Sequence, residues 1–259
     1  MATDPPVVSD AIPTGCGPVD DLLGGGFERG AVSQVYGPPA SGKTNVALSA
    51  AVSVAAAGGQ ALYIDTEGLS VDRFQQLARA QVRAERGDAG RDAFGDGEGG
   101  DDGDVEAAVD DLASRLIISE ALDFEEQAEA VKDAEGVASQ VDLVVLDSAT
   151  GFYRLERDND DEGAALRDVV RQVTHLLSLA RRHDLAVVIT NQVYSDPDSD
   201  RTRGLGGHTL AHWSAVVLRL ERFRGGNRRA TLEKHRSKPA GGTVRFRIAD
   251  EGLVASEEP

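Results

Sequence analysis

The sequence predicts an α/β fold in which a mostly parallel central sheet carries helices on both faces and ends in a largely antiparallel C-terminal extension. Short apolar runs recur along the chain, and helix-forming stretches separate the first five of them. After Gln192 the rhythm changes to β-rich segments divided by the turns RGGN and PAGG. Strands buried on both faces read as continuous apolar runs, and β-α alternation sets successive strands parallel.

Taken in order, residues 1–30 read as an N-terminal arm and a Gly-rich lead-in, LLGGGFERG. One core is expected over 31–259. AVSQVYG (31–37) is its first strand, and the almost wholly apolar stretch from Gly42 to Ala57 fits a helix enclosed within a layer. ALYIDT (61–66), RLIISE (115–120), DLVVLD (142–147) and LAVVIT (185–190) supply further buried strands. From Ala164 to Ala180, Leu166, Val169, Val170, Val173, Leu176 and Leu177 fall on one helical face. WSAVVLRLER, RRATLEKH and TVRFRIAD close the sheet. Residues 86–111 have the Gly and Asp content of an acidic, solvated surface insertion. A calcium loop is the sharper alternative there, although the spacing and closing Glu of an EF-hand are missing.

Composition narrows the class. The formal net charge is −17 and the basic residues are 23 Arg against 4 Lys. Such an acid excess keeps a protein hydrated where salt screens repulsion, so a high-salt cytoplasm is one reading and an ordinary acidic cytosolic protein the other. A cytoplasmic location is expected in both: the start MATDPPVVSD is unlike a secretory signal, and no apolar run is long enough to span a membrane. The lone Cys16 leaves no internal disulfide. Charge is unevenly distributed. Between Arg201 and Arg247 stand 12 Arg or Lys against 2 Glu, an asymmetry that points to a polyanion. Arg222, Arg224, Arg228 and Arg229 are the candidates, with protection of a sheet edge as the alternative role.

The most specific motif is GPPASGKT, comprising Gly37, Pro38, Pro39, Ala40, Ser41, Gly42, Lys43 and Thr44. It fits G-x-x-x-x-G-K-[ST] between a strand and a helix, where backbone N–H groups and a helix N-terminus cradle phosphates. ATP and Mg²⁺ are the expected cofactors. Lys43 would reach the β- and γ-phosphates and the Thr44 hydroxyl would coordinate Mg²⁺. Asp147, closing a strand, is expected to hold Mg²⁺ through a bound water or from just behind its ligands. Glu67 in YIDTEG is the candidate that orients water, and Asp65 is expected to be structural. Gln192 stands where a side-chain amide can sense the γ-phosphate.

These motifs, in this order and with GGHTLAHWS and VRFRI, resemble the RecA/RadA recombinase superfamily, most closely its archaeal RadB branch. The resemblance covers essentially the whole chain apart from the acidic insertion; it implies an archaeal source, which the acid excess narrows to a halophilic one. It implies a RecA-type ATPase core that acts on DNA in homologous recombination, and it implies the same roles for Lys43, Thr44, Asp147, Glu67 and Gln192. Two loops would face DNA: one after Asp147 with Tyr153, Arg154 and Arg157, the other after Gln192 with Arg201 and Arg203. Lys234, Arg236 and Lys238 stand where relatives contact a neighbouring subunit's ATP.

The departures are equally specific. The chain has no room for the N-terminal helix-hairpin-helix domain of full-length recombinases, and MATDPPVVSDAIPTG contains no Phe-x-x-Ala linker. Asp196, Asp198 and Asp200 dilute the basic charge of the second loop. An accessory protein of recombination and repair is therefore expected: a weak DNA-dependent ATPase that assists the main recombinase RadA, prefers single-stranded DNA and has scope for homo-oligomers. An autonomous strand-exchange recombinase and a RecA-fold signalling ATPase acting on protein partners are the alternatives. Trp213 and His208 are expected in the core or shaping the loop.

Overall fold

The computed structural model describes residues 10–92, 102–152, 162–195 and 202–256. A nine-stranded sheet organises them in the order β11-β10-β9-β8-β1-β5-β4-β2-β3. The strands are β1 (Ala31–Tyr36), β2 (Ala61–Asp65), β3 (Leu116–Glu120), β4 (Leu143–Asp147), β5 (Ala186–Asn191), β8 (Val216–Arg222), β9 (Asn227–His235), β10 (Thr243–Ala249) and β11 (Gly252–Ala255). From β8 to β3 every pairing is parallel, and from β8 to β11 every pairing is antiparallel. The expected extension is therefore present, with two refinements. Its first strand joins the parallel sheet beside β1, and a fourth strand, β11, had no counterpart among the apolar runs. A separate antiparallel ribbon pairs β6 (Val193–Ser195) with β7 (Thr202–Gly204).

Side chains alternate between two cores, as the pleat requires. Ala61, Tyr63, Leu143, Val145, Ala186 and Val188 face one. Leu62, Ile64, Val144, Leu146, Val187 and Ile189 face the other. The first core is closed by α1 (Gly17–Leu23), α2 (Lys43–Ala56), α3 (Val71–Asp92) and α4 (Asp102–Ser114). The second is closed by α5 (Phe124–Asp133), α6 (Glu162–His183) and α7 (Gly207–Trp213). Enclosure of α2 explains its lack of a polar face. Val46, Ala47, Leu48, Ala50 and Ala51 are all at most 1% exposed because sheet and helices cover it from several sides.

Two expectations about the periphery change. The block 86–111 is not one solvated loop: α3 continues to Asp92 and α4 begins at Asp102, and Val105, Val109 and Leu112 are buried. Their spacing of three to four residues forms a helical stripe that the Gly and Asp count obscured. Nor is the 1–30 segment simply an arm. Ile12 and Phe27 bridge to each other, and Cys16, Val19 and Leu23 are buried in the first core. Burial pushes the Cys16 thiol up to about 11. No helix among the described residues is long and apolar enough to cross a membrane.

Candidate nucleotide site and arginine-rich hairpin

The site lies at the C-terminal ends of the parallel strands, where loops from several strands converge. The loop from Gly37 to Gly42 joins β1 to α2, and its glycines are required by space and by conformation. A Cβ on Gly37 would stand 2.3 Å from the Leu220 carbonyl oxygen and 2.6 Å from Ser41 Oγ. Gly42, which caps α2, has φ of 103°, a left-handed conformation costly for other residues. Lys43 is 8% exposed. Its ammonium donates to the carbonyls of Gly37 (3.1 Å) and Pro38 (3.2 Å). Burial pulls its pKa down, while the nearby Glu67 and Asp147 oppose that shift. A buried ammonium resting on two carbonyls has an evident use for an anion.

Asp65 and Asp147 lie opposite each other on β2 and β4. Their surroundings give them different tasks. The Asp65 carboxylate accepts N–H bonds from Glu67 (3.1 Å), Gly68 (3.0 Å) and Leu69, which fixes the turn that carries Glu67. That is the structural role expected of it. Asp147 is buried, and both its oxygens are engaged. Tyr63 donates its hydroxyl to Oδ2 at 2.6 Å, and Thr190 donates to Oδ1. The Thr44 hydroxyl also favours the ionised carboxylate. Desolvation raises the Asp147 pKa, and these three hydroxyls partly offset the shift. Tyr63, buried beside the carboxylate, is pushed well above the usual phenol range.

Glu67 Oε1 is the junction of the site. It accepts from Ser148 Oγ at 2.8 Å and from Gln192 Nε2 at 2.9 Å. Pro39, Ala40, Gly42, Lys43, Thr44, Asn45, Glu67 and Gln192 line a cavity of about 200 Å³. The structure brings Lys43, Thr44, Glu67, Asp147 and Gln192 together around this cavity. It adds Tyr63, Ser148 and Thr190, which sequence reasoning missed because hydroxyls in strands and turns carry no motif of their own. Arg73 was missed too: it donates to Asn45 Oδ1 (2.7 Å) and the Ala249 carbonyl (3.0 Å), tying α3 and β10 to the cavity's rim.

Gln192 connects outward. Its N–H donates to Thr150 Oγ1 (3.3 Å), and Thr150 donates to Asn191 Oδ1 (2.7 Å). Asn191 Nδ2 and the Gln192 carbonyl then bond the backbone of Leu205, just beyond β7. A side chain that touches Glu67 is therefore joined within one residue to the ribbon of the second expected DNA loop.

The candidate DNA residues fare unevenly. Arg154, Arg157 and Arg201 lie outside the described residues, as do Tyr153, Asp196, Asp198 and Asp200. Arg203 lies in β7 opposite Tyr194, and its side chain lies outside the description. Arg222 and Arg224 are exposed. Arg229 is ion-paired with Glu221 at 2.9 Å and covers the Phe223 ring, 5.0 Å from its centroid. Arg228 departs from expectation: at 9% exposed, it points inward rather than toward a polyanion. Period-two alternation along β9 is the reason, since Arg228, Ala230 and Leu232 share the covered face.

The cations expected to act on a neighbouring subunit have partners within this chain. Lys234 donates to the carbonyls of Ala211 (2.7 Å) and His212 (3.3 Å), Lys238 to those of Asp21 and Leu22 (both 3.3 Å), and Arg236 pairs with Glu28. His208 and Trp213 are exposed rather than in the core. Trp213 stacks edge-on with His212 at 5.3 Å, while Leu210 supplies the anchor of α7.

Among the described residues no cluster of three or more His, Cys, Asp or Glu could hold a metal alone. Thr44 and Asp147 fit Mg²⁺ as hard oxygen donors that share it with phosphate.

Comparison with known proteins agrees with this geometry. Residues 104–256 match the Rad51 family model, and residues 3–82 match the RecA N-terminal domain. The DNA repair and recombination protein RadB of Halobacterium salinarum is 58% identical over 95% of each chain. The protein of the same name from Methanococcoides burtonii is 39% identical over 95% of this chain and 98% of its own. A solved structure titled as that of the RadB recombinase superposes with a TM-score of 0.74 at 34% identity, covering 95% of this chain and all of the other.

Proposed function

Because the chain belongs to the archaeal RadB family, we propose that it is an ATP- and DNA-binding accessory protein of homologous recombination and repair. One observation carries the reading: the hydrogen-bonded path from Glu67 through Gln192 to the backbone beyond β7. It joins a nucleotide cavity to a segment expected to face DNA.

The phosphate chain of ATP suits the cavity. The loop offers backbone N–H groups at the start of a fourteen-residue helix, a buried ammonium, and a Ser41 hydroxyl that is buried with no partner. Bound Mg²⁺ would supply charge neutralisation at the phosphate oxygens. Each side chain of this protein then has a task. Lys43 leaves its two carbonyls for the phosphates. Thr44 would hold the metal and Asp147 would assist it, with Tyr63 and Thr190 orienting the Asp147 carboxylate. Glu67 orients and deprotonates water, aligned by Ser148. Gln192 leaves Glu67 when an acceptor enters the cavity, and the shift reaches the ribbon through Leu205.

Exposed Arg222 and Arg224 offer phosphate contacts without base readout, so binding is sequence-independent and weakens steeply with salt. Single-stranded DNA is the proposed substrate, and the main recombinase RadA the proposed partner. Hydrolysis is weak and stimulated by DNA. The test pairs ATP binding and turnover in wild type and Glu67→Gln with joint-molecule assays in molar salt. Glu67→Gln should keep binding and lose turnover. The protein should accelerate its cognate recombinase while giving no product alone. Robust strand exchange by this protein alone would replace the accessory role with that of an autonomous recombinase.

A further inference from the structure

Arg228 stands on β9 opposite Arg222 of β8 and Phe246 of β10. Tyr36, the last residue of β1, pairs with Arg219, so β8 runs three residues past the end of its parallel neighbour. The end of β8 therefore lies beside the phosphate loop rather than beside another parallel strand, and the start of β9 pairs with it there. The packing around Gly42 reflects this. A Cβ there would stand 2.8 Å from Ile248 Cδ1 and 3.9 Å from Arg228 Nε. The last glycine of the loop, at the head of α2, is thus walled by an isoleucine and a guanidinium.

The guanidinium is incompletely satisfied. Its Nη1 donates to the carbonyls of Gly226 (2.6 Å) and Asn227 (3.3 Å). Its Nε is buried and has no partner. Among the described residues no carboxylate pairs with it: the nearby Glu221 and Glu233 pair with Arg219 and Arg229. Burial pulls its pKa down, and the neighbouring cation Arg222 adds to that shift. A buried, unpaired guanidinium is costly unless an anion accompanies it. The guanidinium lies against the last glycine of the loop, at the N-terminus of α2 where an anion would be drawn.

We propose that Arg228 is a nucleotide-binding residue, supplying from β9 of the same chain a second cation, besides Lys43, to phosphates held at the loop. The proposal rests on the ATP-binding reading above. Its exposure of 9% keeps the side chain from a DNA backbone but not from a ligand seated in the loop. Holding the Arg224–Gly226 turn is a task that Nη1 completes by itself, and it leaves Nε unexplained.

The experiment is calorimetry of the full chain with ATP, ADP and adenosine, for wild type, Arg228→Met and Arg228→Lys, beside thermal melts without nucleotide. Loss of a buried charge-assisted hydrogen bond should weaken ATP and ADP by about ten-fold in Arg228→Met, leave adenosine unchanged, and be partly recovered in Arg228→Lys. Equal ADP affinity in Arg228→Met and wild type overturns the proposal, whether or not the melt shifts, and assigns the guanidinium to the turn alone. Should Arg228→Met fail to fold, nitrogen-15 spectra of wild type decide. ADP, but not adenosine, should slow exchange of the Arg228 Nε proton, and an unchanged exchange rate overturns the proposal. Wild type that binds no nucleotide sinks the ATP-binding reading itself. Wild type that binds while Arg228→Met binds equally well sinks only the role of Arg228.

Discussion

At the C-terminal ends of β1, β2, β4 and β5, the charged side chains are few and jointly bonded: a buried Lys43 on loop carbonyls, a buried Asp147 under hydroxyls, and an exposed Glu67 between Ser148 and Gln192. Along β8 and β9 the arginines are many, and each finds a different environment. Arg219 and Arg229 share Glu221, Arg228 is buried, and Arg222 and Arg224 face water. The first region is prepared for one small, highly charged ligand in one pose. The second offers only part of its formal charge to a partner. Net charge along a sequence therefore overstates the attraction a surface exerts, because acidic neighbours and strand alternation withdraw cations from it.

The sharpest way to break this contrast is Lys43→Ala. The loop would lose its buried ammonium, and ATP binding should become undetectable by calorimetry while DNA retention on a filter persists. Equal ATP affinity in the variant and wild type would remove the cavity from consideration. Tyr63→Phe comes next. It deletes the 2.6 Å bond to Asp147 Oδ2 without opening a cavity. A buried acceptor left short of a donor costs about 1–3 kcal/mol, to be read from urea unfolding, and Mg²⁺-dependent ATP affinity should fall with it. An unchanged urea midpoint would mean that the other hydroxyls suffice.

Charge on the hairpin should give smaller effects. Replacing Arg222 and Arg224 together by Ala should weaken single-stranded DNA several-fold at low salt. The log–log salt slope should shrink by roughly 1.4 if each arginine neutralises one phosphate. ATP affinity should not change. An unaltered slope would move the DNA interface away from the hairpin altogether. The smallest effect is expected from Glu221→Gln, which frees Arg229 and leaves Arg219 paired with Glu233 alone. DNA affinity at low salt should rise about two-fold, within the modest worth of exposed ion pairs. A decrease would show that Glu221 organises the arginines rather than masking them.

The sequence by itself determined the phosphate loop, the β-α order and the strand-end acids. Each of these rests on short-range chemistry: Gly37 and Gly42 where the backbone needs them, Lys43 and Thr44 at the head of a helix, Asp65, Glu67 and Asp147 where apolar runs stop. Tertiary structure alone decided which hydroxyls reach Asp147, that Ser148 and Gln192 meet on Glu67, and that Val105 and Val109 belong to the core. It also separated Arg228 from Arg229, adjacent in the chain and alike in type. Their difference is only which face of β9 each occupies: the phosphate loop, beside Ile248, meets Arg228 on one face, while Glu221 and Phe223 meet Arg229 on the other. Composition assigns both residues the same charge. Which ligand each can reach depends on what packs over the strand, and those neighbours come from segments far apart in the sequence.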